Sequence, residues 1–439
     1  MKVTVLFLIL AVLTTLGLAQ TSNDAEQKTV AEKVSDIQGA VEGMNESMLE
    51  MKSTVSALSK IKLTGYVQAQ YQAAESEGAK SFAGGDFPKT ADSRFNVRRG
   101  RLKFTYDNTI SQMVVQLDAT EKGVGLKDAY LTFKEPWMQT FGLTAGVFDR
   151  PFGFEISYSS SSREAPERTR LFQTLFPGER DLGVKLEITP QKGALQYFNF
   201  KGGLFAGNGI ASETDSKKDF IGRLGFQLPV TSINLAVDGG VSMYSGKVRL
   251  DDATKDASGN TVPFSTFKLD SPTAFTTDAL TQYVDRQYVG GDIQLYYDLP
   301  VIGGFSLRGE YITGSQPGTK SAGSFYKGGS GDIYLRNFSG YYLNYVQNIG
   351  SRNQFIVKYD SYDPNSDVTA DDFGKGDSKL SATDLKYYTL GLGWIYYWDS
   401  NIKFVAYYDM VTNETSKLLS GYESDLKDNV FTFRIQYKF

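Results

Sequence analysis

The sequence predicts an all-β chain: a sixteen-stranded antiparallel transmembrane β-barrel preceded by an N-terminal periplasmic coiled-coil helix. Three observations predict it. From Ile61 onward apolar residues recur at every second position, the period of a strand with one greasy and one wet face. The connections between these segments alternate short and long, as short periplasmic turns and long external loops do in outer-membrane barrels. The last nine residues alternate strictly, with Phe431, Phe433, Ile435, Tyr437 and Phe439 set against Thr432, Arg434, Gln436 and Lys438.

Composition narrows the field further. The 439 residues include 29 Phe and 27 Tyr but only 12 Pro, which suits many strands. Beyond the N-terminus no apolar run reaches the roughly 18 residues of a spanning helix, and the mean hydropathy is −0.29. The absence of cysteine removes disulfides, thiolate metal sites and a lipidated N-terminal Cys. The absence of histidine removes Ser-His-Asp and Cys-His catalysis and imidazole metal ligation. No enzymatic activity and no cofactor is expected, and a net charge of −4 argues against nucleic acid as a partner.

Residues 1–19 have the pattern of a signal peptide. Lys2 precedes the apolar run Val3 to Leu16, and Gly17-Leu18-Ala19 offers small residues for cleavage near Gln20. Residues 20–60 form the helical segment. Val30, Val34, Ile37, Val41, Met44, Met48, Met51, Val55 and Leu58 are spaced 4-3-4-3-4-3-4-3, a heptad stripe. Its period of 3.5 points to a self-associating periplasmic coiled coil. The alternative is packing of the stripe on the chain's own body.

Residues 61–439 form the barrel. The strand segments lie near 61–73, 94–107, 110–119, 126–135, 139–148, 181–189, 195–206, 218–227, 233–245, 286–298, 303–316, 336–347, 353–362, 385–398, 401–412 and 428–439. Connections around Asn108, Pro136, Gln191, Pro229, Val301, Gly350 and Asp399 are short. Segments 74–93, 149–180, 207–217, 246–285, 317–335, 363–384 and 413–427 are mostly long and polar, and 120–125 is the one short connection where the pattern calls for a long one. Trp394, Tyr396 and Trp398 fall at the low end of a descending strand, where an interfacial girdle sits. A closed barrel also satisfies every backbone group in lipid.

Alternation assigns faces. With Leu102, Phe104 and Tyr106 outward, Arg99, Arg101 and Lys103 face the lumen as a basic ladder. The same reasoning turns Lys185, Arg223, Arg308, Lys358, Lys403, Arg434 and Lys438 inward, together with Asp118, Asp128, Glu187, Asp292, Glu310 and Asp360. The ladder is either an anion track or part of a stabilising lumenal ion-pair network.

Several motifs are similar to those of the phosphate-selective porin O and P family. They are Arg98-Arg99-Gly100-Arg101-Leu102-Lys103-Phe104, Leu126-Lys127-Asp128-Ala129-Tyr130-Leu131, and Gly146-Val147-Phe148-Asp149-Arg150-Pro151-Phe152-Gly153. The stretches Ser162-Arg163-Glu164 and Leu175-Phe176-Pro177-Gly178-Glu179-Arg180-Asp181-Leu182-Gly183-Val184 belong to the same resemblance. It is dense over residues 61–190 and carried by strand pattern afterwards. It implies a homotrimeric outer-membrane porin whose third external loop, here 149–180, folds into the lumen and narrows it. It also implies an aromatic last strand that the assembly machinery reads. A full set of the family's lumenal arginine ladders and lysine cluster is not found in this sequence.

Residues 150–180 hold Arg150, Arg163, Arg168, Arg170 and Arg180, no lysine, and Glu155, Glu164, Glu167 and Glu179. An arginine-only set of cations suits bidentate grip of carboxylate or phosphate. Equally, the arginines can pair with the glutamates and brace the loop. The candidate pore-lining and anion-binding residues are therefore Arg99, Arg101, Lys103, Arg163, Arg168, Arg170, Arg180, Lys185, Arg223 and Arg308. Asp251, Asp252, Asp256 and Asn260, and then Asp367, Asp371, Asp372 and Asp377, follow no EF-hand spacing, so no metal is expected. The Gly202–Gly209 run lacks the βαβ unit of a dinucleotide site. The expected role is passive diffusion of small hydrophilic solutes through the outer membrane, with a preference for anions or phosphate as the finer expectation. The alternative is an outer-membrane anchor whose coiled coil binds a cell-envelope partner.

Overall fold

A computed structural model describes residues 30–213, 215–249, 254–255, 258, 261–262, 266–271, 274–278, 283–323, 333–375 and 380–439. The signal-peptide segment 1–19 and Asp251, Asp252, Asp256, Asn260 and Asp377 lie outside the described residues.

Helix α1 runs from Val30 to Leu58 and belongs to a unit that ends at Ser59; the barrel unit begins at Lys60. Strong helix formers such as Glu42, Met44, Met48, Leu49, Glu50 and Lys52 favour it. Ile37, Val41, Met44, Met48, Met51, Val55 and Leu58 are each 51–67% exposed, so the stripe is uncovered in the single chain.

The barrel strands are β1 (Ile61–Ala74), β2 (Ser93–Asp107), β3 (Ser111–Thr120), β4 (Gly123–Lys134), β5 (Phe141–Asp149), β6 (Arg180–Ile188), β7 (Phe198–Phe205) and β8 (Asp219–Val230). They continue as β9 (Leu235–Arg249), β10 (Tyr283–Tyr297), β11 (Phe305–Gly318), β12 (Ile333–Ile349), β13 (Asn353–Asp363), β14 (Tyr387–Tyr397), β15 (Ile402–Asn413) and β16 (Val430–Lys438). Each pairs antiparallel with the next, and β16 returns to β1 from Tyr66↔Lys438 to Ala74↔Val430, closing the cylinder. At the seam Phe439 and Gly65 exchange backbone hydrogen bonds of 3.0 and 3.1 Å. A Cβ on Gly65 would lie 2.4 Å from the Arg101 carbonyl and 2.8 Å from the Phe439 ring, so glycine lets the terminal ring lie flat there.

Outward residues such as Val67, Leu102, Leu131, Val241, Ile293, Leu343 and Phe433 are exposed, forming the apolar exterior of a transmembrane barrel. Inward residues such as Gln68, Arg99, Asp128, Asp292, Arg308, Lys358 and Arg434 are buried. Among the described residues no helix is long and apolar enough to cross a membrane.

Two departures from strict alternation matter. The β1–β2 register shifts at Gln68/Ala69, leaving Arg98 as an extra residue, and the β3–β4 register shifts at Gln116/Leu117, leaving Lys127 extra. These bulges turn both side chains toward the lumen beside Arg99 and Asp128. In addition, β9 and β10 run beyond the expected 233–245 and 286–298. Their ladder continues from Ser245↔Gln287 to Arg249↔Tyr283, with an outward Lys247–Asp285 ion pair of 3.2 Å. The greasy alternation stops before the hydrogen bonding does. The segments Thr266–Ser271 and Ala274–Asp278 join the same sheet, the first pairing parallel with Ile333–Leu335 of β12.

Depth on the outer face predicts tolerance. Val241→Arg or Ile293→Arg should cost about 2–4 kcal/mol, and Gln287→Arg about 0–1 kcal/mol. Guanidinium unfolding in lipid vesicles measures the difference; equal costs would mean that no apolar band is buried in lipid.

Candidate pore and its inserted segment

Residues 150–179 leave β5 and re-enter β6 at one point. Asp149 pairs with Arg180 across the neck, and the Arg150 N–H donates to the Glu179 carbonyl at 3.1 Å. Arg150 Nε contacts Asp181 at 3.1 Å with both side chains fully buried. Between these points the segment makes one short helix, α2 (Arg170–Leu175), N-capped by Thr169, whose hydroxyl accepts from the Phe172 N–H at 3.4 Å. Its remaining polar groups need partners from the barrel wall.

Its apolar side builds a core inside the barrel. Phe152, Leu171, Phe172, Leu175 and Phe176 pack on Phe148, Phe205, Tyr244, Tyr288, Phe338, Tyr342 and Tyr362, which point inward from β5, β7, β9, β10, β12 and β13. The ring contacts are mostly tilted or edge-on, such as Phe176–Tyr288 at 5.6 Å and Tyr288–Phe338 at 5.1 Å. The lumen is thus not uniformly wet, and inward aromatics on neighbouring strands were the signal for it.

Its polar side is tied to the wall. The Gly153 N–H donates to Ser242 Oγ at 2.9 Å, and the Phe154 and Glu155 N–H groups both donate to Glu310. Gly153 has φ +61°, and a Cβ there would come within 3.0 Å of the Glu310 carboxylate. Glu155 meets Lys358 at 2.9 Å, and Glu164 meets Arg308 at 3.0 Å. Ser160 Oγ bonds Tyr66 Oη at 2.6 Å, and Gln436 Nε2 donates to the Ser161 carbonyl at 3.0 Å.

Glu167 receives three guanidinium groups: Arg98 at 2.9 Å, Arg99 at 2.6 Å and Arg434 at 2.8 Å. Burial alone would raise its carboxyl, but Arg98, Arg99 and Arg434 outweigh that and hold it well below the usual carboxylate range. The clamp's contribution is complete above the ordinary glutamate range and is lost only as pH falls through the lower folded value.

Each sequence-predicted site residue can now be placed. Arg99 is on Glu167, and Arg101 reaches Asp118 at 3.3 Å. Arg163 donates to the Ala165 and Pro166 carbonyls at 3.2 and 3.1 Å. Arg168 pairs with Glu179 and donates to the Glu155 and Ile156 carbonyls, each at 2.8 Å. Arg170 lies over the rings of Tyr387 at 3.7 Å and Phe82 at 4.4 Å. Arg180 holds Asp128 at 2.8 Å, Lys185 is 3.4 Å from Glu187, Arg223 is 2.6 Å from Asp292, and Arg308 is on Glu164. Among the described residues, Lys103 alone of the ten has no hydrogen bond, ion pair or ring contact. The expected arginine–glutamate pairing within the loop is met only by Arg168 and Arg180 on Glu179, whereas Glu155, Glu164 and Glu167 pair with cations of the wall.

Cavities lie on both sides of the lumen: one of about 460 Å³ is lined by Tyr296, Tyr297, Phe305, Ser306, Arg308 and Asn348 of β10 to β12, and three more lie along the wall from β2 to β8. One cavity of about 450 Å³ is lined by Arg101, Lys103, Lys438, Arg180 and the hydroxyls of Ser157–Ser161. A second of about 350 Å³ is lined by Lys134, Lys185, Thr132 and Thr144, and a third of about 310 Å³ by Lys185, Lys201, Arg223 and Asn199. Sequence reasoning missed Arg98, Lys127 and the anchoring use of Glu310. Lys127, delivered by its bulge, bonds Glu179 at 2.5 Å and the Gly178 carbonyl at 2.8 Å. Among the described residues no group of three or more carboxylates has metal-site geometry.

No protein-family model matches the chain, and no curated protein matches it by sequence. Among solved structures it is similar to OprB of Pseudomonas putida, with a TM-score of 0.55 at 11% identity, covering 88% of this chain and 96% of that one. It is also similar to an anion-selective porin from Comamonas acidovorans (TM-score 0.50, 12% identity, 86% and 99% covered). The outer-membrane channel DcaP of Acinetobacter baumannii is a further likeness (0.50, 14%, 86% and 97%). At these identities the likeness is one of fold: a sixteen-stranded porin barrel.

Glu167→Gln strips the charge from a buried clamp and should cost about 3–5 kcal/mol. The expected readouts are a lower guanidinium midpoint and new protease cleavage within 150–179. An unchanged midpoint and an intact segment would show that the three arginines do not depend on this carboxylate.

Proposed function

We propose that this chain is an outer-membrane porin through which small hydrophilic solutes diffuse passively. The observation that carries the reading is a closed barrel whose inserted segment is latched to the wall while polar cavities stay open along β2 to β8. A segment fixed in this way narrows a pore without plugging it. Resemblance to the phosphate-selective porin O and P family supports the reading, as does the fold shared with solved porins. The constriction is the segment predicted as loop 149–180.

The finer proposal is a preference for anions. Its support is narrower than an arginine ladder, because Arg99 belongs to the Glu167 clamp and Arg101 is shared with Asp118. What supports it is Lys103 and Lys438 in the largest of the three cavities, where neither ammonium has a partner among the described residues. In planar bilayers the purified, folded protein should show stepwise conductance; absence of steps would overturn the porin reading. An ion passing ~6 Å from a unit charge in water feels about 0.7 kcal/mol. Neutralising Lys103 with glutamine should therefore lower chloride permeability and raise potassium permeability about threefold each, reducing their ratio roughly tenfold, and a cation-preferring wild type would overturn the anion proposal.

The proposed assembly is a homotrimer in which α1 associates in the periplasm as a coiled coil, supported by its uncovered heptad stripe. The alternative role of anchoring an envelope partner draws on that same exposed stripe. Deletion of residues 21–58 should reduce the native mass in detergent to that of a smaller oligomer. An unchanged mass would place assembly on the barrel.

A further inference from the structure

The three cavities along β2 to β8 have one wall residue in common, Asp149. It is the last residue of β5, at the neck where the inserted segment begins. The first and second cavities meet at Asp149 and Tyr130, and the first and third at Asp149 and Ser157. The second and third meet at Asp149, Lys185, Glu187 and Thr189. A solute moving from one chamber to another passes this carboxylate.

The other carboxylates lining these chambers are engaged. Asp128 holds Arg180, Glu187 holds Lys185 and Lys201, and Asp107 and Asp238 accept from Gln112 and Gln227 at 3.4 and 3.5 Å. Asp149, among the described residues, makes no side-chain hydrogen bond or ion pair. Its register partner Arg180 would be the obvious counter-ion, but that guanidinium is turned to Asp128 at 2.8 Å and Glu179 at 3.1 Å. The backbone on both sides is held, by the β5–β6 ladder and by the Arg150–Asp181 contact. The charge is thus fixed in position and open to whatever occupies the chambers.

The geometry points to Asp149 as the residue that sets which anions pass: a fixed negative charge at the junction of the chambers, facing the unpartnered ammonium groups of Lys103 and Lys438. This rests on the porin reading above. Attraction to the lysines and repulsion from Asp149 both scale with solute charge, but only Asp149 lines all three chambers, Lys185 and Glu187 at the second-to-third junction being paired with each other. A singly charged anion crosses with a modest penalty, and a dianion meets twice that penalty. The solute class favoured is the monovalent anion, or a zwitterion whose cationic group turns to Asp149, over sulfate and the phosphate dianion.

The test is the sulfate-to-chloride permeability ratio of the full chain, from reversal potentials in KCl and K2SO4 gradients. Asp149→Asn should raise chloride permeability roughly threefold and sulfate permeability roughly tenfold, taking an ion ~6 Å from the charge in water. The ratio therefore rises roughly threefold. Asp149→Glu, which keeps the charge, should retain the low ratio, and Asp149→Ser should follow the asparagine variant. Heat-modifiable migration confirms that each variant is folded. If both neutral variants conduct with an unaltered ratio, Asp149 is only a part of the neck and the proposal is overturned while the porin reading stands. A folded wild type without conductance steps overturns the porin reading itself and is told apart from the first failure by the missing current.

Discussion

A segment that folds into a barrel without a strand ladder of its own leaves its backbone and charges to be satisfied by the wall, and Glu167 is where this constraint is met most fully. Its carboxylate collects Arg98 and Arg99 from β2 and Arg434 from β16. Those strands flank β1, so the clamp spans the seam where the two ends of the sheet meet. Arg434 is held in turn by Gln70 at 2.9 Å, and Arg99 by Gln68 at 3.1 Å, both on β1. One carboxylate thereby links barrel closure to the placement of the inserted segment.

That constraint decides what remains for solutes. Guanidinium groups with five donors are suited to bracing carbonyls and carboxylates together, and the loop arginines are used that way. Arg168 alone joins Glu179 to three backbone carbonyls. The cations left facing the open cavities without a partner, among the described residues, are ammonium groups on flexible stems, including Lys103, Lys134 and Lys438. The loop arginines are thus taken up in holding the segment, and the proposed anion preference draws on lysines instead. The aromatic core under the segment adds to this, because Phe152, Phe172 and Phe176 pack on Tyr244, Tyr288, Phe338, Tyr342 and Tyr362 of β9 to β13.

The barrel was legible in the sequence because a lipid-facing strand must alternate, and the strand segments recover all sixteen wall strands. Boundaries failed where that cause ceases to act. At the outer ends of β9 and β10 the outward face carries Lys247 and Asp285 in place of apolar side chains, while Val248 and Val284 are buried on the other face, so the ladder outlasts the pattern. Period-2 reasoning also fails at a bulge by construction. It placed Arg99 on the lumenal face but gave no place to Arg98, although both reach Glu167. It was silent on Lys127, which the second bulge delivers to Glu179. Candidate residues could be named by face, whereas their partners depend on a fold-back of residues 150–179 that alternation does not encode. Glu310 illustrates this: an inward acid in sequence, it becomes the acceptor for two N–H groups at the start of that segment.

The neck explains why the Asp149 carboxylate stays unpaired among so many pairs. Arg180 sits opposite Asp149 in the ladder, yet a lumenal guanidinium can satisfy only the acids within its reach. Asp128 and Glu179 both lie within that reach, and Glu179 is already fixed by Lys127 and Arg168. Bringing Arg180 back to Asp149 would strip Asp128 of its partner in the middle of the β4 wall. The network thus favours leaving the charge bare at the one position where the chambers are open and water can solvate it, and a bare charge beside water is the kind that acts on passing ions.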